Sequence, residues 1–519
     1  MSDSRPPIFD DGGGLPDVDR SRRRNDPDNA RRPRTDGSSN DSPAARERDV
    51  WDNAGDEEWR SPNFLVRRAI VVGLVILVIA AAAIFAGRLL GGDGSGNGSD
   101  DADADWNSIV TVDDTAGTVV IVDSDGEETN RFRLGLNALI DTEIIGRTLV
   151  STDADALAVV QLDREAEITA ADITSIDLAA STALVRPSGT KQTVVAADSA
   201  SERLVLVHGP SAEIIDTADA DTVPGARYDL GLAVAEPAGR HVLVTDSGNF
   251  QTVLFSFDRD APSFFSGLAL AVDDDIVVTA ANVGANANVA VFDHAGDPGV
   301  AAQTASVRAA MISDGVVILI GVDGEVLGLS LSSGDVTDIG TLSIGTVESG
   351  HVSINGDRLI VVGTDGTAVI DGEGTALAEL PGARPTVTGL DETAPRAATC
   401  LVVERAAAGE VSVIDLELGT IGAEALAGPN VLSPIDGCRP VVPTSAGYIS
   451  LDVDTVTPVT LVGDVVALSP GGDTLAVERA NRIELVPRSS AGSEEDDSDD
   501  EIEPVDIGRA GRTLFFADL

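Results

Sequence analysis

The sequence predicts an all-β repeat fold, a β-propeller of four-stranded units of about 40 residues each, preceded by a disordered arm and one transmembrane helix. Three observations predict it. Short β-branched runs bounded by Gly, Asp, Ser and Pro fill the chain from Trp106 onward, they recur at a regular interval, and one uncharged apolar run, Ala69–Gly87, lies ahead of them. Such runs are strand-length and their boundaries supply turns. The interval matches the size of one propeller blade.

Residues 1–68 form the first element. They carry thirteen Arg and fifteen Asp or Glu among many Pro, Gly, Ser and Asn, with few aliphatic side chains. Burial there cannot offset the entropy of ordering the chain, so a disordered, solvated arm is expected. The clusters Arg22-Arg23-Arg24 and Arg31-Arg32-Pro33-Arg34 offer a weak attraction for anionic surfaces, which the interleaved carboxylates largely cancel.

Residues 69–90 are expected to span a membrane. The nineteen residues Ala69–Gly87 make a helix of about 28 Å, close to the thickness of a bilayer's hydrocarbon core. Arg60, Arg67 and Arg68 stand just before the run, whereas after Arg88 the next basic residue is Arg131. Basic residues favour the cytoplasmic side, so the expected localisation is the cell membrane, single-pass, with the N-terminus cytoplasmic and the body outside. Ile84-Phe85-Ala86 offers a weak cleavage site, but the 68 polar residues ahead of the run suit an uncleaved signal-anchor better than a cleaved signal peptide or a buried core helix. Residues 91–105, GGDGSGNGSDDADAD within an acidic, glycine-rich stretch, read as a flexible linker.

Residues 106–519 are the predicted propeller. Comparable strands begin near Ser108, Thr148, Thr193, Val242, Ile276, Val316, Leu359, Cys400, Val441 and Leu475, a mean step of about 41 residues. Many are followed by a tight turn and a second strand ending in aspartate, at Asp123, Asp163, Asp258, Asp293, Asp371, Asp415 and Asp452. Ten such repeats exceed the usual four to eight blades. The expected count is therefore seven to ten, in a large ring or one divided in two, with tandem sandwich domains as the second architecture. The acidic segment 489–503 reads as a disordered loop of the last repeat, and Thr513–Phe516 as a terminal strand able to close the ring.

Beyond the arm there are 71 acidic against 22 basic residues, about −49, and Lys191 is the only lysine in the chain. Such a field opposes nucleic acid and anionic lipid and favours solubility and basic partners. Cys400 and Cys438 are separated by nearly one repeat, so they fall at similar points of consecutive units. A disulfide stapling neighbouring blades is the expectation, and two buried free thiols are the alternative.

Motifs of chemistry are absent. His208, His241, His294 and His351 are dispersed, and no H-E-x-x-H, C-x-x-C, G-x-S-x-G or Walker pattern occurs. No catalytic, cofactor-binding or metal residue is therefore assigned. Asp293-His294 is an acid–base or metal pair only if distant blades converge on it in a central channel; isolated turn histidines are the plainer reading. Calcium is the one cation the carboxylates suggest. Asp123-Ser124-Asp125-Gly126-Glu127 resembles the start of a calcium loop, but Leu134 stands where its twelfth ligand belongs, so a solvated hairpin turn is expected.

The unit Val411–Leu426, VSVIDLELGTIGAEAL, with its V-x-V-I-D strand and Gly-Thr turn, resembles repeats of YVTN-type and WD40-like bacterial surface propellers. The layout is similar to the membrane-anchored N-terminal propeller of bacterial propeller plus fibronectin type III proteins. Within residues 106–519 there is no WD dipeptide and no tryptophan-bearing repeat of the quinoprotein-like kind, so the resemblance implies no quinone cofactor. It implies a surface or envelope interaction domain, with no catalytic residue to carry over. The expected function is a non-enzymatic, monomeric scaffold for proteins or envelope polymers, integral to the membrane. The alternative is a propeller hydrolase or lyase with a metal or acid/base site in its channel.

Overall fold

The computed structural model describes residues 106–519 except 179–182, 198–201, 219–224, 387–398, 406, 427–430, 434–437, 445–446, 452–455, 460, 462, 481, 489–504 and 510–512. The arm 1–68, the apolar run 69–90, the linker 91–105 and the acidic segment 489–503 lie outside the described residues. Among those described, no helix is long and apolar enough to cross a membrane.

The chain folds as a β-propeller of ten antiparallel sheets, eight with four described strands and two with three. Each of the ten sequence repeats opens on the second strand of a blade: Ser108–Asp113, Thr148–Thr152, Thr193–Ala197, His241–Asp246, Ile276–Val283, Val316–Gly321, Leu359–Gly363, Cys400–Arg405, Val441–Thr444 and Thr474–Arg479. These define blades 1 to 10. In blades 3 and 9 the position beside the second strand is held by single bridges, Val185 to Val195 and Leu432 to Val441.

Both faces of each blade are buried, which explains why the second and third strands read as unbroken apolar runs. Val194, Val195, Leu204, Leu206, Val317 and Leu319 are all fully buried. Even and odd residues alike must be apolar when a sheet is covered on both sides. Ten separate apolar clusters fill the ten interfaces between consecutive blades. The last packs Ala476, Ile483 and Leu485 of blade 10 against Trp106, Ile109 and Val120 of blade 1. Thr513–Ala517 supplies the innermost strand of blade 1, pairing antiparallel with Ser108–Asp113 from Thr513 opposite Val112 to Ala517 opposite Ser108. The two ends of the repeat array thus share one sheet, which covers the inner edge of blade 1.

The recurring aspartates are turn builders. Asp123, Asp163, Asp293, Asp371 and Asp415 each accept two backbone N–H bonds, at 2.7–3.1 Å, from residues two to four positions ahead. The carboxylate nucleates the hairpin between third and fourth strands. In three of these turns a glycine three residues on, Gly126, Gly296 or Gly374, sits at φ +84° to +93°, a left-handed conformation that side chains disfavour. Asp258 departs from the pattern and binds Arg240 instead; Asp452 is outside the described residues. The carboxylate of Asp123 is occupied in this way by the N–H groups of Asp125 and Glu127.

A further contact crosses the interior of the ring. Ser188, innermost in blade 3, accepts the Val352 N–H of blade 7 at 2.7 Å and directs its own hydroxyl at the Val352 carbonyl, 3.4 Å away. Its backbone also exchanges hydrogen bonds with Ala233 and Ala235 on the inner strand of blade 4. Gly189 follows at φ +97°, where an added Cβ would lie 2.3 Å from the Ala235 carbonyl oxygen. Gly356 of blade 7 likewise sits against Pro237 of blade 4. The ring is therefore pinched between blades 3 and 7, with blades 4–6 on one side of the contact and blades 8–10, 1 and 2 on the other. Elsewhere a disulfide joins Cys400 of blade 8 to Cys438 at the entry to blade 9, with Cα atoms 5.0 Å apart. By loop length such a closure stabilises by about 3–4 kcal/mol.

Two outcomes follow from this architecture. Gly189→Ala combines an unfavourable φ with a backbone clash and is expected to lower unfolding free energy by about 2–4 kcal/mol, read by urea titration. A stability within error of wild type would show that the pinch does not hold the ring. Asp371→Ala should cost about 1 kcal/mol while Asp371→Asn retains most of it, since the amide oxygen still accepts the two N–H bonds. Equal losses in the two variants would assign the effect to charge instead.

Candidate functional site

The densest polar chemistry lies at one end of the ring, where the loops after the first and third strands of blades 3, 4 and 5 meet. His208 closes the third strand of blade 3 and His241 opens the second strand of blade 4. His294 follows the third strand of blade 5. All three are buried. Strand ends bring them together: residues far apart in sequence occupy equivalent heights in neighbouring blades.

The rings of His241 and His294 pack 4.4 Å apart, tilted by 60°. His294 donates from Nε2 to the Asp273 carbonyl at 3.0 Å, and its own carbonyl accepts from Arg259 and Ser263. His241 Nε2 lies 3.9 Å from the Asp258 carboxylate, and its buried Nδ1 has no hydrogen-bond partner among the described residues. Burial first, and then the neighbouring His294, hold the His241 imidazole below its ordinary pKa; Glu236, Asp258 and Asp274 oppose them. His208 contacts Thr193 through Nδ1 at 3.3 Å and packs its ring 5.2 Å from Phe257. It too is depressed, by burial and then by the Arg240 charge.

The charged neighbours are committed to ties within and between blades. Arg240 grips Asp258 of its own blade at 2.7 Å and reaches Glu213 of blade 3 at 3.4 Å. Buried Glu236 accepts the backbone N–H groups of Ala238, Arg240 and His241, which fixes the hairpin that carries His241. The carboxylate is thus tied to its own turn. Chemically, the His208 and His241 imidazoles are held back from protonation by their burial between blades. Among the described residues no group of three His, Cys, Asp or Glu is placed to hold a metal.

Asp293 and His294 do not pair with each other. Asp293 accepts the N–H groups of Ala295 and Asp297, while His294 turns toward blade 4. His351 stands apart, on the inner strand of blade 7, with Nε2 3.0 Å from the Ser349 hydroxyl. Burial pushes its pKa down to about 4. The His241–His294 contact was not readable from the chain, because no spacing rule links one blade's second strand to the next blade's third. A small polar cavity of about 240 Å³ opens separately at the outer edge of blades 1 and 2, between Glu128, Asn130, Arg131, Glu165 and Glu167. Asn130 there ties the two blades by donating to the Asp163 and Ala166 carbonyls.

No protein-family model matches the chain, and no curated protein matches it in sequence. Among solved structures it is similar to BamB from Moraxella catarrhalis, at 14% identity and TM-score 0.35 over 60% of this chain and 95% of that one. It is also similar to apo AztD from Citrobacter koseri, at 12% identity and TM-score 0.33 over 62% and 94%. A third is the dihydro-heme d1 dehydrogenase NirN in complex with DHE, at 15% identity and TM-score 0.36 over 80% and 76%. The propeller assignment rests on the chain's own strand pairing.

The buried histidines make stability depend on pH. His351 titrates near 6.5 when unfolded and near 4 when folded, so the folded chain binds this proton less readily. Its contribution is complete above about pH 6.5 and is lost as pH falls toward 4, about 2 kcal/mol between about pH 7 and pH 5. His208 and His241 are shifted in the same direction and add to the loss. Urea unfolding at the two pH values should show this decline. Without the titrating ring, His351→Gln should lose less stability than wild type over the same interval, by about 2 kcal/mol. A wild type equally stable at both pH values would contradict the burial of these rings.

Proposed function

We propose that this chain is a single-pass, membrane-anchored propeller whose body lies outside the cytoplasm and acts as a non-enzymatic interaction scaffold for proteins or envelope polymers. The reading is carried by the uncharged run Ala69–Gly87 with arginines concentrated on its N-terminal side. The Cys400–Cys438 disulfide supports it, since such bonds persist in oxidising compartments. So does the resemblance of Val411–Leu426 to surface-propeller repeats. A ring of ten blades presents a wide, rigid surface. The acidic composition steers basic partners toward it and keeps nucleic acid away.

Protease added to intact cells is expected to remove a C-terminal tag and spare an N-terminal one; the reverse pattern refutes the topology. Crosslinking on intact cells is expected to trap the body with envelope proteins or polymers. Recovery of the uncrosslinked monomer alone would refute the scaffold role.

A further inference from the structure

The outer strands of the blades differ in one respect that bears on partners. In blade 5 the outer strand Pro298–Ala305, PGVAAQTA, is eight residues long and uncharged, and its only proline is its first residue. The other nine outer strands run four to six described residues. Each of them except the four-residue Ser263–Ser266 carries a charged side chain or an interior proline. Short length, charge and proline are the devices that keep a sheet edge from pairing with another chain. Blade 5 lacks all three over most of its edge.

The pairing fixes which backbone groups are available. Five consecutive pairs run without a bulge from Asn286 opposite Ala305 to Ala290 opposite Ala301. Ser306 donates its N–H to the Ala285 carbonyl at 3.0 Å, which makes that pair a hydrogen-bonded one. Alternation along an antiparallel ladder then turns the N–H and C=O groups of Ala301, Gln303 and Ala305 away from the blade. These same three residues are exposed, whereas Val300, Ala302 and Thr304 are half-buried. The Ala305 carbonyl accepts the Thr304 hydroxyl. Among the described residues the edge thus offers open donors and acceptors at Ala301 and Gln303, with small side chains beside them.

We propose that the edge Pro298–Ala305 docks an extended segment of another protein bearing basic residues, added to blade 5 as a fifth strand. Main-chain bonds to Ala301 and Gln303 supply the affinity, as in strand addition generally. Charge selects the occupant. With about 49 net negative charges beyond residue 68, two copies of this chain repel, and a lysine- or arginine-bearing strand is attracted. The inference rests on the scaffold reading only in taking a protein as partner; it holds on either side of a membrane.

The test uses the full-length chain in detergent and two fluorescein-labelled nine-residue peptides, one alternating Lys with Val and the other Glu with Val. Anisotropy titration is expected to show binding of the lysine peptide alone, with slowed amide exchange at Ala301 and Gln303. Gln303→Pro removes an outward N–H that the ladder does not use, so the blade is expected to stay folded while affinity falls at least tenfold. Should that variant melt early, Gln303→Lys keeps the N–H and opposes the basic strand, and is likewise expected to weaken binding. Equal affinity in wild type and both variants, or equal binding of the two peptides, overturns the proposal. So does self-association of the wild-type chain that Gln303→Pro abolishes, which would make the edge a contact between copies. Peptide binding with a failed topology test would sink the membrane reading alone, and the converse would sink only this one.

Discussion

Thr513–Ala517 lies beside Ser108–Asp113, and on that pairing the rest of the ring depends. A blade here is apolar on both faces, so every sheet needs a neighbour on each side, and an open row of such sheets would leave two apolar faces in water. Strand pairing between the two ends of the repeat array removes both. The packing of Trp106, Ile109 and Phe516 with Ile483 and Leu485 is the tenth interface that results. Each interface has its own apolar cluster, so the ring is assembled from nearest-neighbour contacts and not from one central core.

A ring of ten such units would leave a wide interior, and the contact of Ser188 with Val352 draws it in. The innermost segment of blade 3 is irregular, with Val185 bridging to Val195 on one side and Ser188 to Val234 on the other. That irregularity frees Ser188 and Gly189 to reach across. Polar side chains gather where blades meet at one end of the ring, around Arg240, His241 and His294.

Acidity has two separate physical origins in this chain. Aspartates at the ends of third strands are structural, because their oxygens satisfy the backbone N–H groups of the turn that follows. Asp163 illustrates it: hydrogen bonds from Ala166 and Glu165 hold its carboxyl below the usual carboxylate range although it lies at the surface. Other acids, such as Glu213 and Asp258, are ties between or within blades through Arg240. Against that background the uncharged strand Pro298–Ala305 stands out by composition and length together.

The all-β class, the blade-sized repeat and the place of each blade's second strand were determined by sequence alone. Burying a sheet on both faces imposes β-branched runs, and turning between strands imposes Asp and Gly at fixed offsets, so both leave a periodic trace. The repeats leave seven to ten blades open, and the structure forms ten. The sequence also contained the pair Cys400 and Cys438 nearly one repeat apart, but whether their Cα atoms come within bonding reach is a property of how blades 8 and 9 stack. The pinch at Ser188, the meeting of His241 with His294 and the outward-facing groups of Ala301 and Gln303 were decided by tertiary structure. Each depends on the height and rotation of one blade against another, and many sequences with the same period satisfy those quantities equally well.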